Sequence, residues 1–245
     1  MDKQEVIYKD LGLIEYKEAW DYQETLLQEN VEAKSTIRNQ QLAMDHGPST
    51  MDQDPSTVNH LLFCEHPFVY TLGKSGSMDN VLLNEKQLEE QHIQFYKINR
   101  GGDVTFHGPE QIVGYPILDL EKFYTDIGRY LRELEQVIID SLAMYNIKGE
   151  RSNGETGVWI QPGIPGKERK ICAMGVRCSR WITMHGFALN VNTDLSYFNN
   201  IIPCGIQNKQ VTSVEKELGY KVDMNEMKER LKLNFEQVFK CVLVN

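Results

Sequence analysis

Disulfide frameworks, zinc sites and phosphate loops all leave marks that this sequence lacks. Its five cysteines (Cys64, Cys172, Cys178, Cys204, Cys241) are an odd number with no CxxC pair, which fits free thiols in a reducing compartment better than a disulfide framework. Cys172, Cys178 and His185 have spacings that match no tetrahedral zinc framework, so no metal is expected. A GxxxxGK[ST] phosphate loop is missing as well. No apolar run reaches membrane-spanning length, and the opening MDKQEVIY has neither the apolar core of a signal peptide nor the Arg-rich character of a transit peptide. A cytoplasmic protein with no membrane partner is therefore the expectation. Basic charge is scarce: 26 Lys and Arg against 35 Asp and Glu leave a net charge of −9 with no basic stripe, which argues against a nucleic-acid partner. Internal repeats, heptads and low-complexity segments are absent too.

The 245 residues, 41% of them hydrophobic, suffice for one sizeable core, and we expect a single domain over 1–245. Tyr16, Ala19, Trp20, Gln23, Leu27 and Val31 fall at helical spacing and predict an amphipathic helix over Glu15 to Lys34. Arg38 to Asn59, with Gly47, Pro48 and Pro55, reads as a surface loop insertion. Strands are expected at Leu61–Cys64 and Phe68–Leu72, separated by a turn at His66-Pro67, and at Tyr115 to Leu120. A helix is expected over Ile127 to Ile147, and another from Asn225 to Val244 capped by Asp223. Gly157 to Asn192 reads as a meander. This order predicts an α+β or α/β fold around one mixed β-sheet flanked by helices.

Chemistry concentrates in four places. Arg100, Gly101, Gly102, Asp103, Val104, Thr105, Phe106 and His107, followed by Gln111, combine a glycine pair with hydrogen-bonding side chains on one face of a short strand. Cys204 stands in Pro203-Cys204-Gly205, a tight turn able to present its sulfur, whereas the other four cysteines fit the role of small buried hydrophobes. Lys170 opens the run Ile171-Cys172-Ala173-Met174-Gly175-Val176; held near Cys204, its charge would favour thiolate and its amine could exchange protons. The fourth place is His185-Gly186-Phe187-Ala188-Leu189-Asn190, whose simpler reading is a strand-entry turn with a satisfied imidazole.

Four segments, RGGDVTFHGPEQIVGYPILDL (100–120), KICAMGVR (170–177), HGFALNV (185–191) and PCGI (203–206), resemble in order and spacing those of the lipoyl(octanoyl) transferases, the lipoate-protein ligase B family. The resemblance implies the biotin/lipoate ligase fold, akin to class II aminoacyl-tRNA synthetases, in a monomeric cytoplasmic enzyme without a cofactor. Lys170 and Cys204 match the family's catalytic pair, and Arg100 to His107, Ala173, Met174, Gly175, Gly186, Phe187 and Ala188 match its substrate-binding stretches. The implied activity moves an octanoyl group from acyl carrier protein, through an acyl-cysteine, to a lysine of lipoyl domains of 2-oxoacid dehydrogenases and of the glycine cleavage H protein. Glycines 101, 102, 175 and 186 would let the acyl chain lie against backbone, with amides available for the oxyanion. Arg180-Trp181-Ile182-Thr183-Met184 departs from the usual family sequence and is expected to reshape one wall of the acyl pocket. Three rivals stay open on the residues alone: a ligase that adenylates a free acid, a cysteine hydrolase using His107 or His185, and a non-catalytic acyl-binding or protein-binding module.

Overall fold

The computed structural model describes residues 3–43, 57–202 and 210–245. Among them, a nine-stranded mixed sheet runs in the order β12-β1-β2-β6-β10-β9-β8-β7, with β11 joined to β9. Its strands are β1 (Gln4–Leu13), β2 (His60–Glu65), β6 (Gln111–Ile117), β7 (Glu150–Arg151), β8 (Val158–Ile160), β9 (Arg169–Ser179), β10 (Ile182–Asn190), β11 (Gln210–Val211) and β12 (Cys241–Val244). A second sheet, which the sequence did not announce, holds β4 (Gln94–Lys97), β3 (Val69–Leu72) and β5 (Val104–His107), with β3 central.

One face of the large sheet is covered by α3 (Ile127–Ala143) and α5 (Met224–Phe239), which bury Leu134, Val137, Ile138, Leu231 and Phe235 against Phe63, Ile112, Phe187 and Leu189. Truncating any of these leucines to alanine would cost about 2–5 kcal/mol. Helix α1 (Tyr16–Ala43) covers the other face through Ala19, Leu26 and Leu27. Tyr16 also reaches the small sheet at Val69 and Ile98, so α1 ties the two sheets together. The small sheet packs on the 3₁₀ turn Leu195–Asn200, where the Phe106 and Tyr197 rings stack 5.0 Å apart. The two shorter helices are α2 (Glu85–Glu90) and α4 (Val214–Leu218).

Several expectations change. Helix α1 continues to Ala43, so Arg38 to Ala43 are helical and not loop. At the far end of the expected insertion, Thr57 and Asn59 are buried and hydrogen-bond Asp119; residues 44–56 lie outside the described part. The last helix stops at Phe239, because Lys240 turns left-handed (φ 54°) and releases Cys241–Val244 to pair parallel to β1. Cys241 is therefore in a strand. The Ile127 helix ends at Ala143, and the strand expected over Tyr115 to Leu120 begins earlier, at Gln111, and gives way to a 3₁₀ turn at Leu120–Lys122. Asp223 caps α5 as expected, accepting from the Glu226 amide, and Asp126 caps α3 in the same way, accepting from the Arg129 amide.

Candidate functional site

β9 is the axis of the site. Arg169 at its start is held in a two-pronged pair with Glu217 of α4, at 2.6 and 2.5 Å, and Lys170 follows. β11 runs parallel beside these two residues, its Val211 opposite Lys170, and the Thr212 amide donates to the Lys170 carbonyl (2.9 Å). On the other edge Trp159 of β8 is the register partner of Lys170, whose Nζ lies 4.6 Å from the indole ring centre. β8 is anchored in turn: the Gly157 amide donates to the buried Glu135 carboxylate (3.0 Å), which Arg151 and Arg132 also hold. Burial raises the Glu135 carboxyl above the usual range, against the opposing pull of Gly157 and the two arginines.

Beyond Lys170, residues 173–176 are half-buried, and at Gly175 and Val176 the strand backbone meets the turn at 100–103. The Gly101 amide donates to the Val176 carbonyl (3.0 Å), and a Cβ on Gly175 would stand 2.7 Å from the Gly101 oxygen. This contact explains Gly175. Gly102 sits at φ +88°, where a side chain would be strained. Beneath the turn the buried Arg100 guanidinium bonds the Thr71 carbonyl (2.9 Å), the Thr71 hydroxyl (3.0 Å) and the Gly101 carbonyl (3.0 Å). Its charge is turned inward as scaffold, while Gly101 and Gly102 remain exposed. Asp103 is also structural: one carboxylate oxygen takes the Val104 amide and the other the Asn80 amide side chain.

The remaining members of the expected set are inside. Val104 and Phe106 belong to the core under the small sheet, and Phe187 and Ala188 lie in the two cores on opposite faces of β10. Gly186 is wedged between β9 and β6, where a Cβ would run into the Gly114 carbonyl and Pro116. Thr105 is half-buried. The expected role of Trp181 changes too. Arg180 and Trp181 form the tip of the β9–β10 hairpin with φ of 50° and 66°, pinned by Lys34 to the Arg180 carbonyl. At about 3.3 Å per residue along a strand, that tip is about 30 Å from Lys170, at the opposite end of β9.

Three imidazoles gather between α1 and the two sheets, a grouping the sequence did not reveal. His107 donates from Nδ1 to Gln111 (2.8 Å) and takes a long bond from the Thr71 hydroxyl (3.4 Å), with Tyr16 stacked on its ring. His66 donates from Nδ1 to the Ile14 carbonyl (2.8 Å) and accepts from Tyr115 (2.8 Å). His185 sits inside β10, not at a strand entry, with φ +60°; its Nε2 meets Asn99 (2.8 Å), while Nδ1 is buried without a partner. The expectation of a satisfied imidazole there fails. Burial lowers all three, His66 to about 4, His185 to about 3 and His107 well below its ordinary value, so each is neutral near pH 7.

Burial likewise raises the thiols of Cys64, Cys172, Cys178 and Cys241, holding them protonated near neutral pH. Cys178, expected to be buried, is exposed. Cys204 and its Pro203-Cys204-Gly205 turn lie outside the described residues. Among those described, no cluster of side chains suits a metal ion, and no helix is long and apolar enough to cross a membrane.

The sequence of residues 15–236 matches the model of the lipoyl protein ligase A/B catalytic domain. The chain belongs to this family. Relatives named octanoyltransferase come from Flavobacterium psychrophilum, 58% identical over 96% of this chain and 97% of its own, and from Christiangramia forsetii, 54% identical over 98% and 97%. The fold is that of the lipoate ligases: a bipartite lipoate protein ligase from Thermoplasma acidophilum aligns at TM-score 0.66 with 15% identity, covering 99% of this chain and 86% of that one. A lipoate-protein ligase A solved with ATP gives 0.65 at 13% identity, with 100% and 88% covered. At such identities the family's two branches share architecture; the closer sequence relatives carry the octanoyltransferase name.

Proposed function

We propose that this chain is an octanoyltransferase that moves an octanoyl group from acyl carrier protein to a lysine of a lipoyl domain. The observation that carries the reading is identity of 54–58% to octanoyltransferases along nearly the whole of both chains. Cys204 is the nucleophile. Cys204 passes its proton to Lys170 and its thiolate attacks the carrier thioester; the bond from carbonyl carbon to carrier sulfur breaks, and the carrier sulfur leaves as thiolate and takes that proton from Lys170, which returns the lysine to the neutral amine. The lysine amine of the lipoyl domain then attacks the acyl-cysteine; the new amide forms as the carbon–sulfur bond to Cys204 breaks and Lys170 takes the amine proton. The acyl group arrives activated, so no ATP is consumed.

Support comes from the surroundings. The four other thiols are kept protonated, and the buried neutral histidines have their protons committed to internal bonds, which leaves Lys170 as the amine on the open stretch of β9. Gly101, Gly102 and residues 173–176 form the adjoining wall for the acyl chain. The enzyme works as a cytoplasmic monomer, in one domain over 1–245, and its acceptors are the lipoyl domains of 2-oxoacid dehydrogenases and the glycine cleavage H protein.

An intact-mass spectrum of the enzyme mixed with octanoyl acyl carrier protein tests this directly. A gain of about 126 Da on the peptide carrying Cys204, the mass of an octanoyl group replacing hydrogen, is expected for covalent catalysis, and adding a lipoyl domain should discharge it without ATP. Label on Cys172 or Cys178, a requirement for ATP, or release of free octanoate would overturn the assignment.

A further inference from the structure

We propose that Asn80 is a positioning residue for acyl transfer, a clip that holds the 100–103 turn and the chain entering Pro203 in one register. The inference rests on the transferase reading above. Asn80 lies in a 3₁₀ turn, Met78–Asn80, capped by Ser77, and is half-buried. Its side-chain Nδ2 donates to Asp103 Oδ2 at 2.6 Å, and its carbonyl accepts from the Ile202 amide at 2.8 Å. One residue therefore bonds two segments far apart in the chain. The clip continues on the Ile202 side, where Val81 bridges Ile201 and the Leu82 amide donates to the Asn200 carbonyl (2.9 Å).

On the other side each Asp103 oxygen is engaged. Its second oxygen takes the Val104 amide (2.7 Å) and its carbonyl takes the Gly73 amide (3.3 Å). The carboxylate thus fixes the turn, and the bond to Asn80 is what ties that turn to Ile202, two residues before Cys204 in sequence. A hydrogen bond to an ionised carboxylate is shorter and stronger than a neutral one, and this bond joins the turn that carries Gly101 and Gly102 to Ile202, which precedes the Pro203-Cys204 pair in sequence. Asn80 touches no reacting atom in this scheme; it acts through Asp103 and Ile202.

The test is single-turnover acylation of Cys204 by octanoyl acyl carrier protein in Asn80→Asp, Asn80→Ala, Asp103→Asn and the double variant Asn80→Asp with Asp103→Asn. Asn80→Asp sets carboxylate against carboxylate and should lower the maximal acylation rate about tenfold, the equivalent of one charge-assisted hydrogen bond, with little change in the half-saturating carrier concentration. The double variant restores a donor facing an acceptor with the roles exchanged, so its rate should recover to several times that of Asn80→Asp. A merely structural asparagine would move the unfolding midpoint and leave the maximal rate and the coupling alone. Asn80→Ala adds no charge and serves if Asn80→Asp does not fold; it should slow acylation in the same direction. Wild-type acylation in both single Asn80 variants, or single-variant effects that simply multiply in the double, would overturn the proposal alone. A wild-type enzyme that forms no acyl-Cys204 would overturn the transferase reading with it.

Discussion

Lys170 and Trp159 face each other across adjacent strands, with the lysine Nζ 4.6 Å from the centre of the indole ring. A ring face attracts a cation, so Trp159 fixes where the ammonium rests without supplying a proton acceptor. Lys170→Arg keeps charge and ring contact but cannot be deprotonated. We expect it to form acyl-Cys204 and to fail in discharging it to a lipoyl domain. Trp159→Leu should slow discharge about fivefold, corresponding to about 1 kcal/mol of ring–cation attraction. Separate measurement of the two half-reactions checks both, and discharge by Lys170→Arg at the wild-type rate would remove the base role.

Gly175 and Gly101 are held so close that neither side can yield cheaply. In Gly175→Ala the new methyl would stand 2.7 Å from the Gly101 oxygen and 3.1 Å from Arg100 Cδ. The turn must lift, stretching the Gly101 to Val176 bond, at a cost of about 1–3 kcal/mol, the usual range for overpacking. Acylation of Cys204 should fall about tenfold if that cost is felt in the transition state. The paired readings are the single-turnover rate and the thermal midpoint; unchanged acylation would mean that the 100–103 turn does not border the acyl chain.

His107 tests the rival in which an imidazole activates the cysteine. Its Nδ1 proton is committed to Gln111, and burial holds the ring neutral. His107→Gln can still donate one hydrogen bond toward Gln111, so we expect partial activity, within about tenfold of wild type, since one neutral hydrogen bond contributes about 1 kcal/mol, and an unaltered pH–rate profile. A folded His107→Gln protein as dead as Cys204→Ala would make the histidine the general base and replace the cysteine–lysine scheme.

Local patterns survived the passage from sequence to structure, and nonlocal pairings did not. The periodicity of Leu134, Ile138 and Leu142 marked α3, Asp223 marked the start of α5, and Val104–His107 is the short strand that its alternation predicts. β1 carries no local signal, because Val6 is its only fully buried residue; its order comes from parallel pairing with β2 and β12. β12 reads as helix in the sequence because the apolar spacing of α5 runs on through Cys241, and only the left-handed Lys240 separates the two. The second sheet depends on β3 pairing parallel to β4, a contact no local signal carries. At the site, glycines and Lys170 were legible as residue types. The inward turn of Arg100 and Asp103 was not, because their partners Thr71 and Asn80 look ordinary in sequence.

The histidine cluster makes a prediction about acid stability. His66, His107 and His185 all have depressed values in the folded state, His66 at about 4 and His185 at about 3. A histidine depressed on folding contributes stability that is complete above its unfolded value, about 6.5, and drains away as pH falls toward the folded value. Each should therefore cost about 1.4 kcal/mol per pH unit below 6.5, about 4 kcal/mol for the three at pH 5.5, against a total stability of about 5–15 kcal/mol. Glu135 works in the opposite sense, since burial raises its carboxyl and acid relieves that cost, while the half-buried His60, lowered by burial and by Lys9, adds to the loss. The urea midpoint should fall clearly between pH 7 and 5.5, well above the range in which ordinary carboxylates titrate. His66→Gln, which can still donate to the Ile14 carbonyl but binds no proton, should remove about a third of that slope. Equal midpoints at the two pH values would mean that water reaches these rings, and the dry polar core between α1 and the two sheets would have to be redrawn.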